Sequence, residues 1–126
     1  MRAIDTNVLV RLLVRDDARQ LAAAEEFVAP GAWVSLVTLV ETTWVLASVY
    51  ALEADAIALA VDMLLNHRQL TVQDAETVAA ALEDYRRKPA VGFSDCLILS
   101  TARKAGHIPL GTFDRNLARL ENAKKL

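Results

Sequence analysis

The chain has 126 residues, which is enough for one domain with its own core and too few for two. Apolar residues make up 54% and charged residues 24%, a balance that excludes wholesale disorder. The formal net charge of −2 neither marks a nucleic-acid binder nor excludes one, because a local basic rim binds phosphates on a near-neutral protein.

The single cysteine, Cys96, rules out an internal disulfide and points to a reducing, cytoplasmic setting. No secretory signal is expected, since Asp5 falls where its apolar stretch would have to build up. The most apolar segment, Phe27 to Leu52, contains Pro30, Gly31 and Glu41, so its uncharged pieces are too short to span a bilayer.

Short strand-like runs alternate with longer helical ones, which predicts an α/β fold with a largely parallel sheet. A strand over Arg2 to Ile4 leads into a helix from Thr6 to Val14. Asp17-Ala-Arg-Gln20 resembles a capping box and opens a second helix to Val28, which Pro30-Gly31 breaks. Ala32 to Ser35 reads as a second strand, followed by a very apolar helix through Tyr50 and another over Ala54 to Leu65. Gln69 to Val72 is a third strand. Asp74 is the expected cap of a helix ending near Lys88, and Pro89 and Gly92 mark a loop. A helix opened by Ser94 or Asp95 stops at Gly106, where glycine suits the left-handed position. Ile108 to Leu110 is a fourth strand, and a last helix is expected after Asp114.

The most informative feature is where isolated acids fall. Asp5 is the only charge between Arg2 and Arg11, Glu41 the only one from Phe27 to Leu52, and Asp95 the only one between Lys88 and Arg103. An unpaired carboxylate in an apolar core costs several kcal/mol, roughly, unless something compensates it. No lysine or arginine lies near these three in sequence. They must be paired from a distance, exposed at a cleft or bound to a cation. Asp5 and Asp114 each follow a strand, Asp95 lies in the first turn of a helix, and Glu41 about a turn inside one. In a parallel α/β sheet those positions share the edge where ligands bind. Clustered carboxylates repel one another, and a hard cation relieves that; oxygen-only ligands suit Mg²⁺ or Mn²⁺. Zinc is not indicated, because Cys96 stands alone and His67 and His107 lack ligand spacing. Phosphoryl chemistry is the common use of such a site.

Ala3-Ile-Asp5-Thr-Asn7-Val-Leu, Val40-Glu41, Gly92-Phe-Ser-Asp95 and Thr112-Phe-Asp114-Arg together resemble the PIN-domain nucleases, in order and spacing along essentially the whole chain. They are most similar to the short toxins of VapBC toxin–antitoxin pairs. The resemblance implies a three-layer α/β/α sandwich with a short, mostly parallel central sheet, as one domain over residues 1–126. It also implies a cytoplasmic Mg²⁺- or Mn²⁺-dependent endoribonuclease, usually dimeric and held inactive by a cognate antitoxin. By position Asp5, Glu41, Asp95 and Asp114 match the family's catalytic and metal-binding acids, and Asn7 and Thr112 its supporting polar residues. Many relatives carry a further acid where this chain has Asn116, which implies one firmly bound ion and leaves a second, weaker one open.

In that arrangement Asp5 and Asp95 hold the ion, Glu41 ligates it or orients the attacking water, and Asp114 completes the rim. Arg11 and Arg15, just beyond Asp5, are expected to meet the RNA substrate. Arg86-Arg87-Lys88 and Lys124-Lys125 are further phosphate contacts or simply solvated helix ends. Each acid also has a plain structural reading: Asp5 and Asp114 as helix caps, Glu41 in a Thr38 capping box, Asp95 as a first-turn acid. Surplus apolar surface between Leu36 and Leu65 suggests a homodimer face. Two other functions stay open. One is a PIN-like scaffold that binds protein without cutting RNA. The other is aspartate-based phosphotransfer, as in haloacid dehalogenases or receiver domains, which would want acids where this chain has Thr6 and Asn7.

Overall fold

In the computed structural model, which describes all 126 residues, Arg2–Ala3 forms strand β1 and Thr6–Val14 helix α1. Asp5 caps α1, its Oδ1 accepting from the Val8 amide at 3.1 Å, and this satisfies one of the amides a helix start leaves open. The helix buries Leu9, Val10 and Leu12 and ends where Arg15 turns left-handed, at φ 60°. Asp17 caps α2 (Ala18–Val28) by accepting from Gln20 N at 3.0 Å.

Strand β2 (Ala32–Val34) and β3 (Leu70–Val72) place alternate residues inward, Ala32, Val34, Leu70 and Val72, with Trp33 and Thr71 turned out. Both β1–β2 and β2–β3 are parallel, giving the order β1-β2-β3. Between β2 and β3 run α3 (Leu36–Ser48) and α4 (Ala54–Leu65). Ser35 caps α3 by accepting from the Thr38 amide at 3.0 Å, so Thr38 is not the cap and Glu41 lies within the helix. On α3, Val37, Glu41, Trp44 and Ser48 recur at helical spacing and all face water, Val37 and Trp44 being 76% and 69% exposed. The opposite side buries Leu39, Thr42, Thr43 and Leu46.

These elements form one unit, Met1–Ala75; a second comprises Glu76–Leu126. Helix α5 (Ala75–Arg87) buries Val78, Ala81, Leu82 and Tyr85, and the Tyr85 ring meets Phe93 edge-on at 5.9 Å. Pro89–Val91 makes a single 3-10 turn into α6 (Phe93–Ala105). The residue capping α6 is Gly92 at φ 87°, a left-handed value that favours glycine, and not Ser94 or Asp95. Gly106, at φ 80°, closes α6 as the sequence predicts.

The C-terminal segment differs from the predicted helix. Strand β4 is Leu110–Thr112, and only a 3-10 turn at Leu117–Arg119 separates it from an unpredicted strand β5, Ala123–Lys125. The two pair in parallel, Thr112 opposite Lys125. Parallel neighbours usually need a dozen or more linking residues; here residues 113–122 suffice because a tight turn replaces a full helix. Six helices and short, all-parallel sheets make this an α/β fold, as the alternation of elements in the sequence predicts. No helix is long and apolar enough to cross a membrane.

Candidate metal centre

Asp95 enters the first turn of α6, where the positive end of the helix favours an acid. It is half-buried, and its carboxyl is pushed above the ordinary carboxylate value, first by burial and then by the negative charge of Asp114. The structure therefore brings Asp95 and Asp114 within electrostatic reach of each other. Asp114 is exposed and its Oδ1 accepts from the amides of Asn116 and Leu117 at 2.8 and 2.9 Å. Its own amide donates to Thr112 Oγ1 at 2.9 Å, so Thr112 fixes the turn that holds the acid.

In the other unit, Asp5 and Glu41 are both exposed. Asp5 commits one oxygen to the cap of α1, whereas Glu41 makes no hydrogen bond. Apolar neighbours in sequence thus misstate burial for two of the three isolated acids, Asp5 and Glu41. The pairing of the basic residues is decisive in another way. Arg11 pairs Asp16 at 2.8 Å, Arg15 pairs Glu25 at 3.8 Å, and Arg87 and Arg103 both pair Asp84. None of Asp5, Glu41, Asp95 and Asp114 has such a partner.

No three histidine, cysteine, aspartate or glutamate side chains form a group that holds a metal ion by themselves. The donor chemistry still fits a hard cation. Mg²⁺ keeps several waters and takes only one or two carboxylates from the protein, and Asp95 with Asp114 supplies two that no basic side chain neutralises.

Arg11 also donates to the Tyr50 hydroxyl at 2.9 Å, so it meets a substrate only by leaving partners it already has. With Asn7, Val8, Gln20, Ala23, Ala24 and Phe27 it lines a cavity of about 360 Å³ between α1 and α2.

Asp84 is not an isolated charge in sequence, because Glu83, Arg86, Arg87 and Lys88 surround it. It is buried, bridged by Arg87 at 2.6 Å and Arg103 at 2.9 Å, while Arg103 also donates to the Glu121 carbonyl. Both its oxygens are committed, which marks it as structural. Cys96 is fully buried, and its thiol is pushed up to about 12 by burial, then by Asp84 and Asp95, against the opposing pull of Arg103. It is no nucleophile, since the thiolate is the reactive form. Iodoacetamide is expected to leave it unmodified in the native protein at pH 8 and to label it once urea unfolds the chain; rapid native labelling would contradict this burial.

A family model described as PIN domain matches residues 3–123. The chain belongs to the PIN domain family. PIN domains as a class are nucleases that act on nucleic acid and typically use divalent metals, which places this PIN protein, at the coarse level, among the phosphodiester hydrolases. No curated protein and no solved structure matches the chain.

Proposed function

We propose that this PIN domain is a Mg²⁺- or Mn²⁺-dependent endoribonuclease, with Asp5, Glu41, Asp95 and Asp114 as its catalytic and metal-binding acids. The observation that carries the reading is the Asp95–Asp114 pair: burial and the nearby charge of Asp114 push the Asp95 carboxyl above its ordinary value, and neither acid has a basic partner. Such a pair is a liability without a cation and an asset with one. The family match spans both units, which supports treating residues 1–126 as one domain.

A bound divalent ion would supply a Lewis acid that activates water and offsets charge on the departing oxygen. Asp95 and Asp114 would hold it, with Thr112 and the amides of Asn116 and Leu117 keeping Asp114 in place. Asp5 keeps one oxygen uncommitted beyond its cap. Glu41, solvated and unpaired, would ligate the ion or orient the attacking water. Asn7 lies at the first turn of α1 as a further polar support, and Arg11 and Arg15 as phosphate contacts once released from Asp16 and Glu25.

The finer assignment follows the resemblance to VapBC toxins: a cytoplasmic protein, silenced by a separate antitoxin chain and forming a homodimer. Leu59 and Met63, one turn apart on α4 and each 56% exposed, are the apolar surface a second copy would cover.

Cleavage of a mixed RNA pool with Mn²⁺ or Mg²⁺ tests the reading. Wild type is expected to cut only with metal, and Asp5→Asn and Glu41→Gln to lose on the order of a hundredfold or more, the scale of a misplaced or missing general base. Both positions are exposed, so both variants should melt close to wild type. Metal-independent cutting, or full activity in both variants, would refute it.

A further inference from the structure

Helices α5 and α6 both end in basic residues, Arg86 and Arg87 on one, Arg103 and Lys104 on the other. The negative end of a helix favours cations, which accounts for their presence but not for where they converge. Arg87 and Arg103, with Lys88 and Arg119, line a cavity of about 460 Å³ that Asp84 and Glu121 also border. Every lining residue belongs to the Glu76–Leu126 unit. The volume falls in the range of small-molecule sites, roughly 300–1,000 Å³. Such sites are mostly apolar, yet here Leu120 is the only apolar residue of the wall and no aromatic ring reaches it. These walls suit an ion.

The charges around the cavity do not cancel, because four cations face two acids. Asp84 is committed to Arg87 and Arg103, at 2.6 and 2.9 Å, and Arg103 also donates to the Glu121 carbonyl. Lys88 and Arg119 pair with no acid, and the Glu121 carboxylate pairs with no cation. Arg103 Nε is buried with no acceptor, so this wall is short of acceptors as well as of negative charge. A concave surface dominated by one sign concentrates its field, and guanidinium groups match phosphate oxygens in shape. An excess of two positive charges calls for a group with two negative ones. A phosphate monoester carries them above its second pKa, about 6, whereas the phosphates within a strand carry one each.

We propose that this cavity binds a phosphate monoester, held by Lys88 and Arg119 over the Asp84-clamped guanidinium groups of Arg87 and Arg103. The ligand is read through its phosphate, since nothing in the walls stacks on a base. Neither Asp95 nor Asp114 lines the cavity, and Arg103 lies eight residues beyond Asp95 on α6, roughly 12 Å of helix. The site is therefore distinct from the candidate metal centre. A bound phosphate would tie the end of α5 to the turn carrying Arg119, which follows Asp114.

The test is calorimetric titration of the whole chain, dialysed free of divalent metal, with ribose 5-phosphate. Without a cation, nothing bridges a phosphate to Asp95 and Asp114. Saturable binding is expected, tightening as pH rises through the ligand's second ionisation at about 6. No histidine lines the cavity, so the protein does not mimic that change. Sulfate, doubly charged throughout, should bind without it. Lys88→Ala and Arg119→Ala should each weaken binding about tenfold, and Glu121→Gln should tighten it. Arg68→Ala, which removes the same charge from the other unit, should change nothing. All four side chains are exposed, so melting should stay at the wild-type value.

A dinucleotide bearing a 5′-phosphate separates the two sources of this chemistry. Tighter binding than ribose 5-phosphate assigns the site to a strand end; equal or weaker binding assigns it to a free sugar phosphate. No saturable binding up to about 10 mM, ten times above a millimolar Kd, would overturn the site. So would ribose binding as well as its phosphate, or wild-type affinity in the Lys88→Ala, Arg119→Ala double variant. RNA cleavage enters none of these measurements, so the phosphate site and the nuclease stand or fall separately.

Discussion

Asp95→Asn is expected to reduce metal-dependent RNA cleavage on the order of a thousandfold while raising the melting temperature measured in chelator. The loss corresponds to ~4 kcal/mol of transition-state stabilisation, the scale of charge neutralisation by a divalent ion. The gain has the opposite origin. The Asp95 carboxyl sits above its ordinary value because burial and Asp114 both penalise its charged form. Its contribution to stability is therefore complete below the ordinary value of 3.8, where the acid is neutral folded and unfolded alike. That contribution is lost as pH rises through the raised folded value. At neutral pH the metal-free wild type is strained relative to the Asn variant, and at pH 3 the difference should close. Saturating Mn²⁺ should reverse the order, because only wild type gains from binding, by about 2.7 kcal/mol at a hundred times Kd. Thermal melts at both pH values, with and without metal, read all of this. A variant less stable than wild type in chelator at pH 7 would remove the argument for an uncompensated pair.

The second large effect is expected at Asp84, through stability and not chemistry. Asp84→Ala removes the shared partner of Arg87 and Arg103 from a buried position. Breaking one side of such a group costs about 3 kcal/mol or more, which for a domain of this size lowers the melting temperature by on the order of 10 °C. Arg103 also holds the Glu121 carbonyl, next to the Asn122 carbonyl that receives the Leu110 amide. Hydrogen exchange should therefore quicken at Leu110 and Leu126 before the rest of the chain. A double variant, Asp84→Leu with Arg103→Met, should recover most of the loss, since an apolar pair of similar volume often replaces a buried ion pair at little cost. A melt within 2 °C of wild type for Asp84→Ala, judged on that same scale, would show the bridge to be inert.

The contrast between these two acids shows what the sequence reveals. Helices α1 and α4 are legible to the residue, because apolar periodicity is local and, in α1, the Asp5 cap acts on the same stretch. The C-terminus is not. Asp114 there accepts from the amides of Asn116 and Leu117 as a helix cap does, yet only a 3-10 turn follows, and β5, at three residues with two lysines, exists only by pairing with distant β4. Long-range pairing leaves no periodic trace. Asp5, Glu41 and Asp95 stand out by their apolar neighbours, yet that signal reports composition, not burial: α3 is rich in apolar residues, and one side still faces water with Glu41 on it. Asp84, the acid that is buried, was hidden by charged neighbours that serve as its partners. Phe113 is visible as a letter in a motif, but its 80% exposure is a property of the fold alone.

The outward side of α3 carries one further consequence. Glu41 shares its strip with two greasy neighbours, Val37 a turn before it and Trp44 a turn after. Any macromolecule drawn to that indole and isopropyl group must lie across the carboxylate between them. With Glu41 in the role proposed above, attachment and shut-off at this helix would be a single event, with no need for a shape change to relay one to the other.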